Sequence, residues 1–312
     1  MSSQGSSEHQ AQKVTWVGAG ANITLALTKL TGGLLLGSKA LIADAVDSTG
    51  DLVSDVITLI AVRVARKPID ENHPYGHGRV ESLASLLIGG LLVLVATLFA
   101  INSVRALLHG HRHEVGAAGL LIAAVAVITK ETLFRWTLKV GQRIRSRVVE
   151  SNAWHHRSDA MSSISVFAGL GLGLMVPGAD NFDTIASLVV TLFIARTGFR
   201  IAIGSMHDLV DTEQDQELLS DLARITMTVP EVINTHRVRT RRYGPHTWVD
   251  LDIEVNPEMP VSKGHLVAHE VKERILEEIH YVADVQVHVE PEGSHLQGEG
   301  TVRGMGQETG DE

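Results

Sequence analysis

Cysteine is absent from this chain of 312 residues. That excludes disulfides, thiolate metal sites and thiol nucleophiles, and leaves Asp, Glu, His, backbone and water as metal donors. Aromatic residues make up only 4%, enough for a thin interfacial belt. There is no excess of positive charge. The formal net charge is −9, which removes the electrostatic footprint that a nucleic-acid partner needs. HExxH and GxSxG are missing too; His269-Glu270 lacks a second histidine at the required spacing. Neither a zinc protease nor a serine hydrolase is indicated, and the chain reads as a protein that is not an enzyme. No basic segment precedes the first apolar run, so that run reads as a retained helix and not as a signal peptide.

What is present is unevenly spread. Residues are 44% hydrophobic and 20% charged, with the apolar share concentrated in 14–204 and an acidic, soluble-looking remainder in 205–312. A hydrocarbon core needs about 20 apolar residues per helix. Six segments qualify: 14–36, 41–65, 81–108, 115–139, 153–176 and 182–204. The third and fourth are the cleanest, as in AAGLLIAAVAVIT. The first, second and fifth carry polar residues and are expected to line a pathway. Basic residues crowd the second loop (Arg63, Arg66, Lys67, Arg79) and the fourth (Lys139, Arg143, Arg145, Arg147). The positive-inside rule then places both termini in the cytoplasm. Residues 1–12 and 293–312 are polar and expected to be disordered.

After Asp211 the periodicity changes. Thr212 is a candidate cap for a helix over 213–228, ended by Pro230. Residues 232–242 read as a strand, Tyr243-Gly244-Pro245 as a turn, and HTWVDLDIEV alternates cleanly. Val249, Leu251, Ile253 and Val255 face one side; Trp248, Asp250, Asp252 and Glu254 face the other. Ser262 is a candidate cap for a helix to 279, and ADVQVHVEP closes the fold. The expected architecture is a membrane all-α six-helix bundle over 13–208. A cytoplasmic α+β domain of order αββαβ, ferredoxin- or metallochaperone-like, follows over 209–292. Its small sheet, with an exposed charged face, suits dimerisation.

The chemistry lies in ionisable pairs inside apolar segments. Asp47 and Asp51 stand i, i+4 in the second, and His155 and Asp159 stand i, i+4 in the fifth, so each pair shares a helix face. A charge within a bilayer costs roughly 2.5–3.5 kcal/mol on insertion scales. No basic residue lies in the apolar stretch around Asp47 and Asp51, so an ion pair within that segment does not explain them. Three carboxylates and an imidazole suit a divalent cation, and four ligands suit tetrahedral zinc. Asp44 is a candidate relay or cap, Asp55 a water-lined entrance, and His156 an interfacial polar residue. A second constellation is Asp70, His73 and His77 in PIDENHPYGHGR. HGHRHE, with His109, His111 and His113, reads as a solvated turn. In the soluble part His236, His246, Asp250, Asp252, His265, His269, His288 and Glu290 are candidate ligands.

DAVDSTGD, NHPYGHGRVES, HHRSD and HRVRTRRYGPHTWVDLDIEV together resemble the cation diffusion facilitator family, over residues 12–292. The resemblance implies a homodimeric antiporter exchanging cytoplasmic Zn²⁺ for protons, which is expected to work by alternating access; a compact chain with no long His-rich cytoplasmic loop suits a bacterial inner membrane. Fe²⁺, Cd²⁺, Co²⁺ and Ni²⁺ are the alternative cargoes, and a non-transporting metal sensor or scaffold is the rival outside transport. No resident cofactor is implied, only a transported or regulatory divalent metal, zinc favoured. Asp47, Asp51, His155 and Asp159 match the family's transport site, and Asp70, His73 and His77 its loop site. Arg79 and Asp211 match positions where some members lock two protomers by a charge pair. His236, His265 and His288 match regulatory ligand positions. Asp252 departs from a common His, while Trp248 and Asp250 match a variant pocket of iron-handling magnetosome members.

Overall fold

The computed structural model describes residues 2–36, 39–109, 117–175, 182–212 and 215–293, in two units that divide between Val210 and Asp211. The side chains of 39–50, Asp44 and Asp47 among them, lie outside the described residues, as do His111, His113 and 294–312 and the side chain of His109.

Among the described residues the first unit holds six long helices: α1 (Ser2–Leu36), α2 (Lys39–Ala65), α3 (Arg79–His109), α4 (Ala117–Ile144), α5 (Arg147–Met175) and α6 (Phe182–Leu209). Each is long enough to cross a hydrocarbon core. Polarity in this unit is inverted relative to a water-soluble protein. Leu87, Leu94, Leu98, Val189 and Leu192 are exposed, while Asn22, Asp51, Asp55, Glu81, Lys130, Asn152, His155 and His156 are buried. An apolar exterior around a polar interior suits lipid as the outer solvent. By length and composition alone, two stretches among the described residues qualify as membrane spans, Arg79–Arg105 and Leu188–Leu209. The other four helices carry ionisable residues within their length, including Lys29, Asp51, Lys130 and His155.

Two boundaries differ from the sequence expectation. Helix α1 starts at Ser2, so the polar residues expected to be disordered continue it. Ala11 and Val14, both buried in a cluster with Ala61, Ile88 and Val148, fix that first part by packing. The fourth loop is also shorter than expected. Arg145, at φ 55°, turns the chain directly from α4 into α5, with the Ser146 N–H donating to the Gly141 carbonyl at 3.0 Å. Gly141 permits this closeness, because a Cβ there would stand 2.9 Å from the Glu150 nitrogen.

The helices pack mainly in the pairs α1 with α2, α3 with α6 and α4 with α5. Where α3 meets α6, Gly89 and Gly198 face each other. A Cβ on Gly89 would lie 2.8 Å from the Ala202 nitrogen and 2.9 Å from the Gly198 carbonyl oxygen. Small residues at such crossings let the backbones approach.

The second unit contains α7 (Gln216–Thr226), β1 (Asn234–Tyr243), β2 (His246–Val255), α8 (Val261–Glu278) and β3 (Val282–Pro291). This is the αββαβ order expected. The sheet runs β1-β2-β3, antiparallel between β1 and β2 and parallel between β2 and β3, with α8 as the crossover a parallel pair needs. Val249, Leu251, Ile253 and Val255 form the core with Leu222 and Ile225 of α7 and Val271 and Ile275 of α8.

Both helix caps fall elsewhere than the sequence suggests. Asp215, not Thr212, caps α7, accepting from the Glu217 and Leu218 N–H groups at 3.1 and 3.2 Å; α7 ends at Thr226, before Pro230. For α8 the cap is Pro260, and Ser262 already lies in the first turn. Proline's fixed φ presets that start, and its carbonyl accepts from Lys263 and Gly264. The polar sheet face is less exposed than expected, since Asp252 and Glu254 are buried beneath long neighbours such as Arg237, which reaches Asp252.

Gly89→Ala is expected to push α3 from α6 and to lower the unfolding midpoint in detergent, at a cost of about 1–3 kcal/mol. Gly90→Ala, whose Cβ would meet nothing within 4 Å, should leave it unchanged. Thermal melts of the two variants beside wild type check this.

Candidate metal centre

Helix α2 supplies Asp51 and helix α5 supplies His155 and Asp159. One donor atom from each falls within 4.8 Å of the other two. His155 Nε2 stands 3.4 Å from Asp51 Oδ1 and 4.0 Å from Asp159 Oδ2. Ligands bound at 2.0–2.1 Å in a tetrahedron sit about 3.3–3.4 Å apart, so small side-chain adjustments close these three on one cation. The His155 ring is buried and neither nitrogen makes a hydrogen bond among the described residues. A buried imidazole left in that condition fits a metal donor. Asp47 lies one turn before Asp51 on α2, with its side chain outside the described residues.

A cation of the protein's own stands in this site. Lys130 of α4 is 3% exposed, and its Nζ donates to Asp51 Oδ2 at 2.6 Å and Asp159 Oδ2 at 2.9 Å. Sequence reasoning missed it. The fourth segment, 115–139, reads as one of the two cleanest although it contains Lys130, and the absence of a basic residue near Asp47 and Asp51 on their own helix says nothing of a partner on another. The signal was available, because a lysine deep in a membrane-length apolar run carries the same cost as an aspartate there.

One turn further along α2, Asp55 is fully buried, not a water-lined entrance. It accepts from Asn22 Nδ2 of α1 at 2.7 Å and Asn152 Nδ2 of α5 at 2.9 Å, and Ser54 Oγ donates to Asn152 at 2.8 Å. His156 is also fully buried, facing Asp55 across 3.7 Å, and is not interfacial. A carboxylate taken out of water needs such donors.

Asp70, His73 and His77 converge between α2 and α3. Asp70 Oδ1 accepts from the Asn72 and His73 backbone N–H groups at 3.0 and 2.8 Å and lies 2.9 Å from His73 Nδ1. His77 Nε2 is 3.4 Å from Asp70 Oδ2. Gly76, at φ 82°, makes the turn that brings the second imidazole round. The bond from His73 holds the Asp70 carboxyl below its ordinary range. Any order this contact contributes is therefore present above the unfolded carboxyl range and lost as pH falls through the lowered one.

In the sheet, register sets the third group. His236, Asp252 and His288 are neighbours across β1, β2 and β3. His236 Nε2 lies 3.3 Å from Glu290 Oε2 and 3.9 Å from Asp252 Oδ2, and His288 Nε2 lies 3.3 Å from Glu290 Oε1. A bulge between His236 and Arg239, with Arg237 at φ 50°, aims this end of β1. Four of the candidate ligands are not brought in. Asp250 is taken by Arg241, and His265 is exposed on α8 beside His269, ring centroids 4.6 Å apart. His246, at the start of β2, is likewise outside this group.

Comparison with known proteins agrees over both units. Residues 15–210 match the cation efflux transmembrane domain, and residues 214–292 match the cytoplasmic domain of cation efflux proteins. The chain is 32% identical to the magnetosome protein MamB of Paramagnetospirillum magneticum, covering 90% of this chain and 94% of that one. It is 33% identical to metal tolerance protein 2 of Oryza sativa subsp. japonica, covering 89% and 78%. It is 26% identical to the manganese efflux system protein MneP of Bacillus subtilis, covering 91% and 97%. Among solved structures, a cadmium form of the MamM C-terminal domain aligns at 22% identity and a TM-score of 0.24, covering 24% of this chain and 95% of that one.

Asp70→Ala should remove one bound Zn²⁺ per chain at neutral pH while leaving the Asp51-dependent binding in place. Equilibrium dialysis of single and double variants against wild type counts the sites.

Proposed function

The chain belongs to the cation diffusion facilitator family, and we propose that its cargo is Zn²⁺, expelled in exchange for protons by alternating access in a homodimer. Efflux of divalent metal cations across a membrane is the family's activity. The finer reading rests above all on the convergence of Asp51, His155 and Asp159 from two helices, with Asp47 as the fourth ligand. An imidazole beside carboxylates favours zinc and the later first-row metals, whereas an all-oxygen site favours manganese or magnesium. Fe²⁺, Cd²⁺, Co²⁺ and Ni²⁺ share the preference for mixed donors and are the competing cargoes.

Proton coupling follows from the donors. Carboxylate and imidazole must be deprotonated to bind a metal, so binding releases protons and protonation favours release. The basic loops support an inner-membrane orientation with both termini cytoplasmic. The loop group, Asp70, His73 and His77, serves as a cytoplasmic capture site, and His236, Asp252, Glu290 and His288 as the regulatory site of a dimerising domain.

In proteoliposomes with an imposed pH gradient, wild type should show Zn²⁺ flux that Asp51→Ala abolishes. His155→Asp should shift preference from Zn²⁺ toward Mn²⁺, measured beside Cd²⁺ and Fe²⁺. Absence of flux for every metal in folded protein would sink the transport reading and favour the sensor.

A further inference from the structure

Lys130 shares its oxygens with the cargo. Its ammonium donates to Asp51 Oδ2 and Asp159 Oδ2, carboxylates from two different helices. The same two side chains face His155 Nε2. Lysine is a compact point charge on a flexible four-carbon stem, so its head can leave two carboxylates by rotamer change alone. Arginine, planar and forked, would hold them as a bidentate clamp.

Shared oxygens decide whether ammonium and metal coexist. With Asp47 as a ligand, the three carboxylates and the ammonium sum to −2; exchanging the ammonium for a divalent cation gives −1 and keeping both gives 0, so net charge alone does not exclude coexistence, but the ammonium already occupies Asp51 Oδ2 and Asp159 Oδ2. In a buried site of low dielectric, two neighbouring cations repel strongly and each loses part of its coordination to the other. An ammonium nitrogen and a metal ion on the same two oxygens are also sterically unfavourable at metal–ligand bond lengths near 2 Å.

We propose that the Lys130 ammonium is a tethered counter-cation of the transport site, displaced from Asp51 and Asp159 as metal binds and returning to them as metal leaves. The proposal rests on the reading of Asp51, His155 and Asp159 as the cargo's ligands. It assigns Lys130 two tasks. It weakens metal binding enough for release, and it keeps the two carboxylates paired whenever metal is not between them.

The test is Zn²⁺ binding to the full-length protein in detergent, followed by titration calorimetry, in wild type, Lys130→Gln, Lys130→Met, Lys130→Arg and Asp51→Asn. Removing the ammonium should tighten Zn²⁺ binding by about tenfold or more and slow its release into chelator, with reduced turnover in proteoliposomes. Lys130→Arg, which keeps the charge, should not tighten it. Unchanged or weaker binding in Lys130→Gln and Lys130→Met would overturn the proposal and leave Lys130 a structural brace. Should those variants fail to fold, wild type alone decides. Amine labelling at Lys130, read by mass spectrometry, should rise when Zn²⁺ is added; equal or lower labelling overturns the proposal. If Asp51→Asn leaves Zn²⁺ binding intact, the ligand reading itself has failed; if it weakens binding while Lys130→Gln changes nothing, only the counter-cation has failed.

Discussion

A carboxylate removed from water must be given a cation or a set of donors, and the interior of the first unit is arranged around that requirement. Asp51 and Asp159 meet an ammonium from α4. Asp55, one turn away on the same helix, instead meets amide groups from α1 and α5. The two solutions differ in what they permit. Amide donors leave the carboxylate's charge uncompensated and its position fixed, which suits a structural anchor. A single cation balances charge and is exchangeable for another cation, which suits a transport site. Neighbouring aspartates on one helix thus acquire different chemistry from their partners and not from their own sequence context.

The same requirement explains the inverted polarity of the helices. Leucine and valine cover the outside, and the polar groups that would be intolerable there turn inward, where other helices satisfy them. Arg147 and Asp208 illustrate it between α5 and α6, paired at 2.6 Å with Asp208 buried. Glu81 of α3, fully buried, accepts from Ser146 at 2.7 Å. Helix α6 is thereby tied to α5 by an ion pair and meets α3 at the glycine crossing. Side chains too large for that crossing would separate the elements that these polar pairs connect.

Periodicity made the helices and strands legible, and spacing made the paired ligands legible. The i, i+4 rule places His155 and Asp159 on one face from sequence alone. Alternation in HTWVDLDIEV likewise names the four core residues of β2 that the structure buries. What spacing cannot convey is which helix lies opposite. Lys130 is 79 positions from Asp51, and Asn152 is 97 from Asp55, so these partners exist only once the bundle is packed. The sheet shows the same limit. Alternation puts Asp250 and Asp252 on one face, but packing across the strands decides that Asp252, in register with His236, faces it, while Asp250, in register with Arg239, pairs diagonally with Arg241. Caps failed for a local reason: Asp215, which accepts from two backbone N–H groups, and Pro260, which makes no side-chain cap, stand within three residues of Thr212 and Ser262, side chains of the preferred capping type.

The three groups of potential ligands differ in the rigidity of what carries them, and that difference bears on their roles. Asp70, His73 and His77 lie within eight positions of one turn and are tied to one another by bonds within that turn, so no helix need move for that group to hold a cation. His236, Asp252, His288 and Glu290 are fixed by the ladder of a three-stranded sheet, whose register shifts only by breaking hydrogen bonds. Asp51 and His155 alone sit on separate helices, joined side by side across a polar interface. A shift of α2 against α5 of the size common in packed helices, roughly 1–2 Å, would change their separation by an amount comparable to a metal–ligand bond. Lys130, on a third helix, would feel the same movement at the same oxygens. Coordination that can be made and unmade by helix motion suits the proposed transport, and of the three groups among the described residues only the one shared by α2 and α5 has it.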